Sequence, residues 1–234
     1  MSSLGSMATT AAIPDQDALR RIGASVRERL ARDDKAYKIP TDKAEIFAIG
    51  GFFSPAECAR LIGMIDAVAR PSELFDSPMK DAFRTSYSGN FDPSDPFVKS
   101  ISRRIDDRLG IRSELGETIQ GQRYAPGQEF KDHYDYFHTS EPYWKDERRQ
   151  GGQRTWTAMA YLNEVAEGGA TGFPEVGISV PPTQGVLLVW NNATPDGIPN
   201  EGTLHSGTPV VTGQKYVLTR WYRVRPWKPS RRGG

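Results

Sequence analysis

The sequence predicts an α+β protein with a mainly β core, most simply helices packed on the outside of a barrel-like double sheet. Three observations carry that prediction. Helical periodicity is confined to about the first 110 residues. Beyond residue 115, short segments rich in Thr, Val, Tyr and Trp are separated by Gly, Pro and Asn clusters, the pattern of a sandwich or barrel. The chain, 234 residues with 37% hydrophobic content, is long enough to bury a core as one domain over residues 15–234.

Taken in order, residues 1–14, "MSSLGSMATTAAIP", are expected as a disordered leader, since they lack the charged-then-apolar order of a secretory signal; Met7 is a candidate second start. From Asp15 to about Arg32, Leu19, Ile22, Val26 and Leu30 recur at helical spacing and predict a surface helix. "AEIFAIGGFF" is a short strand candidate. Ser54, Pro55 and Glu57 then open a helix, because serine caps free amides and proline is tolerated in the first turn. It should run to about Ala69 and stop before Pro71. "FRTSYSG" reads as a strand, and "PSDPFVKSISRRIDDRLG" as a helix ended by Gly110. Strands are expected near 118–125, 128–135, 154–163, 170–173, 178–180, 185–190, 204–209 and 214–224. The chain thus divides into a helical layer over about 15–110 and a β core over about 115–225.

Composition narrows the function. Thirty Lys and Arg stand against 29 Asp and Glu, so no broad basic surface is implied for nucleic acid or membrane. Pairs such as Arg103-Arg104, Arg148-Arg149 and Arg231-Arg232 read as solvated faces. The single cysteine, Cys58, sits on one side of an amphipathic helix as a core thiol and cannot form an internal disulfide. No apolar run approaches a membrane span. A cytoplasmic location is the resulting expectation, and the oligomeric state is left open.

Chemistry concentrates in "EFKDHYDYFH", which holds two of the three histidines. Following the turn signal "APG", the aromatic-rich segment is expected to be extended, and on a strand His133 and Asp135 project from the same face. A first-row metal needs a further ligand. His138 lies at odd separation from both and is expected to be a bystander; His205, in "TLHSGTPVV", can return by tertiary pairing. Two imidazoles and one carboxylate suit non-haem Fe(II) and leave three open positions, although zinc or manganese fits the same donors. Neutral imidazole is required, so metal affinity is expected to fall as pH drops through the histidine range. In "GQKYVLTRWYRV", Lys215, Val217, Thr219, Trp221 and Arg223 should share a strand face, and a lysine buried there calls for an anionic cosubstrate.

Together, "HYDYFH", "GGQRTWTAMAYLNEVAEGGAT", the Pro195-Asp196-Gly197 loop and "LHSGTPVVTGQKYVLTRWYR" resemble the corresponding blocks of prolyl 4-hydroxylases in the Fe(II)/2-oxoglutarate-dependent dioxygenase superfamily, over roughly residues 83 to 224. The resemblance implies a double-stranded β-helix (jelly-roll, cupin-like) flanked by N-terminal helices, with His133, Asp135 and His205 holding Fe(II) and Lys215 pairing with the distal carboxylate of 2-oxoglutarate. It places Tyr124, in "QRYAPG", and Tyr161, in "MAYLN", near that cosubstrate. Thr157, on a strand face with Met159 and Tyr161, is set to hydrogen-bond the Lys215 head group. Arg84, Arg154 and Trp221 match positions that face peptide substrate. Phe130 departs from the resemblance, standing where a tyrosine is usual and removing one substrate hydrogen bond.

The implied activity is hydroxylation of a prolyl residue in a peptide or protein, coupled to oxidative decarboxylation of 2-oxoglutarate by O2, with ascorbate as candidate reductant. Rival readings are a hydroxylase of a free amino acid or small molecule, a non-catalytic metal- and 2-oxoglutarate-binding module, and a zinc or manganese cupin-like enzyme. "HTSEPYWKDERRQGGQ" is expected to form a mobile lid over the substrate groove.

Overall fold

The computed structural model describes residues 13–72 and 83–229; the expected leader therefore lies outside the described residues except for Ile13 and Pro14. Helix α1 spans Gln16–Ala31 and buries Leu19, Val26 and Leu30. Strands β1 (Ala36–Lys38) and β2 (Ile46–Ile49) form a hairpin, and α2 follows over Pro55–Val68. The start of α2 is the one its sequence dictates. Ser54 Oγ accepts from the Glu57 amide and Glu57 Oε2 accepts from the Ser54 amide, a reciprocal cap worth about 1 kcal/mol. After β3 (Arg70–Pro71) and β4 (Tyr87–Asn90), α3 spans Pro96–Leu109. Asp95 caps it through Phe97 and Val98 amides, and Gly110, at φ 67°, ends it.

The remaining chain is mostly strand: β5 (Gln120–Tyr124), β6 (Phe130–His133), β7 (Arg154–Tyr161), β8 (Glu167–Gly168), β9 (Thr171–Phe173), β10 (Ile178–Val180), β11 (Leu187–Asn191), β12 (His205–Gly207), β13 (Val210–Thr212) and β14 (Lys215–Arg223), with α4 over Trp144–Gln150 between β6 and β7. Eight strands form a major sheet in the order β1-β2-β11-β7-β14-β5-β4-β3, four form a minor sheet in the order β10-β9-β12-β6, and β13 pairs with β8. Every pairing is antiparallel. The two sheets make the double-stranded β-helix.

Burial on both faces marks the central strands of the major sheet. Ala158, Ala160, Val189 and Leu218 face the helices, packing with Ile65, Ile101 and Ile105. Met159, Tyr161, Leu188, Trp190 and Val217 face the minor sheet with Phe173. Strand β11, covered on both sides, accordingly reads as the continuous apolar run Leu187 to Trp190. The expected division into a helical layer and a later β core is crossed by β1 to β4, which extend both edges of the major sheet. Helix α2 approaches β4 and β5 so closely that a Cβ on Gly121 would lie 2.3 Å from Ile65 Cγ1, and one on its cross-strand partner Gly89 would lie 2.7 Å from Val68 Cγ2.

Three strand expectations change. The strand expected over "FRTSYSG" begins only at Tyr87, as β4. The strand expected over 128–135 ends at His133. The one expected over 204–209 is confined to β12, which joins the minor sheet, and β13 follows in the two-stranded one. Among the described residues no helix is long and apolar enough to cross a membrane.

Helix α3 is locked to β14 through a buried ion pair. Asp106 accepts from Arg220 Nε at 2.9 Å and from the Tyr222 hydroxyl at 2.7 Å, and all three are buried. Truncating one partner of such a pair leaves the other charge uncompensated. Asp106→Ala is expected to lower the unfolding free energy by about 3–5 kcal/mol, read by urea denaturation.

Candidate active site

The centre of the site is built by pairing β6 against β12. His133 and His205 are direct cross-strand partners, with ring centroids 4.2 Å apart. Asp135 lies just past the end of β6, buried, with Oδ2 3.7 Å from His205 Nε2. Ligand atoms from the three residues all lie within 4.8 Å of one another, and they are the cluster of this kind among the described residues. In both histidines Nδ1 meets a main-chain carbonyl, Lys131 O at 2.7 Å and Thr203 O at 2.9 Å. Since a carbonyl only accepts, Nδ1 carries the proton and Nε2 presents its lone pair.

Electrostatics deliver these donors in the forms a metal requires. Burial, with His205 alongside, pushes His133 down to about 3, so that ring stays neutral far below the ordinary histidine range, and for His133 the expected loss of metal affinity through that range moves to stronger acid. Burial alone would raise the Asp135 carboxyl, but His205, His133, Arg154 and the Thr157 hydroxyl outweigh it and hold it below the usual carboxylate range. Two imidazole Nε2 lone pairs and a carboxylate converging in this way fit a divalent first-row ion with open positions.

Lys215, Val217, Thr219 and Trp221 line the same cavity as the three ligands, as strand alternation predicts. Lys215 is 2% exposed. Among the described residues it has no hydrogen bond or ion pair, and its Nζ lies 5.4 Å from the Tyr124 ring and 5.8 Å from the Tyr161 ring. Tyr161 donates to Thr171 Oγ1 at 2.7 Å, and Tyr124 donates to Gln122 Oε1 at 2.9 Å. Both tyrosines thus stand beside Lys215.

Thr157 is placed differently. Its hydroxyl donates to Asp135 Oδ2 at 2.7 Å; the expected bond to Lys215 is absent. The register explains it: Thr157 pairs with Trp221, at the far end of β14 from Lys215, roughly 20 Å along the strand. The substrate-facing expectations also divide. Arg154 is committed to Glu117, with Nε to Oε1 at 2.7 Å and Nη2 to Oε2 at 2.9 Å, and its guanidinium lies 4.3 Å from the Trp221 ring. It thus stands against the Trp221 ring, which lines the cavity. Arg84 has no carboxylate partner among the described residues; it donates to Ser86 and Gln120 and lies 4.7 Å from the Phe130 ring. Phe130 in turn stacks on His133, centroids 3.6 Å apart. His138 is exposed, outside the cluster, with its ring against Tyr134 and Tyr136.

The expected lid is partly fastened. Its later half forms α4, whose buried Glu147 accepts from Arg223, and Arg223 also donates to Glu117. A carboxylate with an arginine partner reads in sequence like any surface charge, so "WKDERRQ" gave no sign of this anchor. Thr171, Trp190 and Gln122 also line the cavity. Gln122 was within reach of period-two reasoning from Tyr124; Thr171 and Trp190 looked like ordinary strand residues.

The profile of the 2OG-Fe(II) oxygenase superfamily matches residues 119–223. Two Arabidopsis thaliana proteins are similar along most of the chain: Probable prolyl 4-hydroxylase 4 at 32% identity, covering 79% of this chain and 69% of that protein, and Probable prolyl 4-hydroxylase 3 at 31%, covering 92% and 82%. The structure of the viral collagen prolyl hydroxylase of Paramecium Bursaria Chlorella virus-1 in its 2OG complex superposes with a TM-score of 0.61 at 27% identity, covering 76% of this chain and 95% of that one.

Burial pushes the Lys215 ammonium from 10.5 down to about 7. The unfolded chain keeps a proton that the folded chain gives up, so the cost of this lysine is full below about pH 7 and fades as the pH climbs toward 10.5. Lys215→Met is expected to raise the unfolding free energy of the ligand-free protein by about 2 kcal/mol near neutral pH, with the gain shrinking in alkali, read by urea denaturation across pH.

Proposed function

The chain belongs to the 2OG-Fe(II) oxygenase superfamily as a prolyl 4-hydroxylase-like member, and we propose that it hydroxylates a prolyl residue in a peptide or protein. The observation that carries this reading is the pairing, in one cavity, of the His133, Asp135 and His205 donors with the uncompensated Lys215 ammonium. A small dicarboxylate answers both.

When bound, Fe(II) with 2-oxoglutarate and dioxygen supplies the oxidation of an unactivated C–H bond, with succinate and carbon dioxide as coproducts. His133, Asp135 and His205 would hold the ion, and Lys215 would grip the distal carboxylate of 2-oxoglutarate in a charge-assisted bond. Thr171, whose hydroxyl lies 2.7 Å from that of Tyr161, adds a polar group to the cavity that Lys215 lines. The Tyr124 and Tyr161 rings exclude water from the ammonium and so strengthen its hold. On the other side of the cavity, Trp221, braced by Arg154, supplies an apolar wall for the proline ring, and Arg84 supplies donors for a peptide carbonyl. Ascorbate is the reductant assigned to keep the iron ferrous between turnovers. The similarity to prolyl 4-hydroxylases and to a viral collagen prolyl hydroxylase supports the prolyl substrate.

Aerobic incubation with Fe(II), 2-oxoglutarate and proline-containing peptides should release succinate and add one oxygen atom to the peptide, followed by mass spectrometry. Lys215→Ala is expected to cut kcat/KM for 2-oxoglutarate by about 30-fold or more, the cost of a lost buried charge partner, whereas His205→Ala should abolish metal binding. Occupancy by metal and 2-oxoglutarate with no succinate released, for any peptide, would make the chain a binding module.

A further inference from the structure

We propose that Asn192 is a positioning residue for the metal centre, acting through Thr157 to aim the Asp135 carboxylate; the inference rests on His133, Asp135 and His205 being metal ligands. Asn192 follows the last residue of β11, and its main chain is tied on both sides: its amide donates to Thr155 O at 2.7 Å and its carbonyl accepts from the Asn200 amide at 3.0 Å. The side chain is therefore delivered to a fixed place. There Nδ2 donates to Thr157 Oγ1 at 2.9 Å, and Thr157 Oγ1 donates to Asp135 Oδ2 at 2.7 Å. All three residues are buried.

The direction of both bonds follows from donor chemistry. A hydroxyl has one proton to give, and an amide NH2 can only donate. Asn192 facing Thr157 with its nitrogen forces the threonine proton toward Asp135, whereas an oxygen in that place would compete for the same proton. Thr157, β-branched and in the middle of β7, has little rotamer freedom with which to escape. The other end of the amide is instructive. Asn192 Oδ1 is buried and has no hydrogen-bond partner among the described residues. A buried acceptor left unmatched costs folding free energy, so the side chain returns little to the fold beyond its bond to Thr157.

The test is metal affinity in the ligand-free full chain, measured by Mn(II) titration with electron paramagnetic resonance of the free ion, beside thermal melts. Partners that orient a metal ligand typically change affinity 10- to 100-fold. Thr157→Val should weaken Mn(II) binding about tenfold or more, and Thr157→Ser, which keeps the hydroxyl, should restore most of it. Asn192→Asp gives the decisive sign. An added negative charge beside the centre should leave Mn(II) affinity equal or higher if only charge matters; the proposal expects it to fall, because the new carboxylate draws the Thr157 proton away from Asp135. Wild-type affinity in Thr157→Val, or unchanged or tighter binding in Asn192→Asp, overturns the relay. Failure of the wild-type chain to bind Mn(II) or Fe(II) at all would instead remove the metal reading on which the relay rests.

Discussion

The antiparallel contact between His133 and His205 is the constraint on which the site depends. It joins two short strands, β6 and β12, and β6 is the edge of its sheet. Everything else is arranged around that pairing: β9 holds β12 from its other side, Asp135 turns in immediately after β6, and β14 crosses opposite on the major sheet with Lys215 facing the same space. Short strands leave little register freedom when one face is buried, since a shift of one residue would turn both histidines away. The precision of the metal centre is therefore a property of sheet pairing and of the two carbonyl contacts at Nδ1.

Charge is handled in two opposite ways within a few residues of β14. Arg220 and Arg223 are buried and fully answered, by Asp106 and by Glu117 with Glu147. Lys215 is buried on the same strand and, among the described residues, has no carboxylate partner. The first two fasten helices α3 and α4 to the sheet. The third lowers the stability of the unliganded fold and so stores the free energy with which an anion is bound, the local inconsistency expected at a functional site.

Much of this was legible in the sequence because it rests on local chemistry. Ser54 with Glu57, Asp95 with Pro96, and Gly110 announce helix ends through hydrogen bonds that span two or three residues. The period-two face of β14 placed Lys215, Val217, Thr219 and Trp221 together. What was hidden depended on register or on distant partners. Thr157 was assigned to Lys215 because a strand face was treated as one neighbourhood, when its two ends are far apart. The ion pair of Arg154 with Glu117 joins residues 37 apart in sequence, beyond the reach of local chemistry. Strands β1 and β8 span three and two residues, too few for any periodicity to register.

The glycine pair beneath α2 has a consequence for the cavity on the far side of the sheet. Gly121 sits in the outer surface of the strand whose inner surface carries Gln122 and Tyr124, and the Ile65 side chain of α2 rests directly on its backbone. A side chain at either glycine would have to lift α2 off the strands, one of which carries a wall of the cavity on its other face.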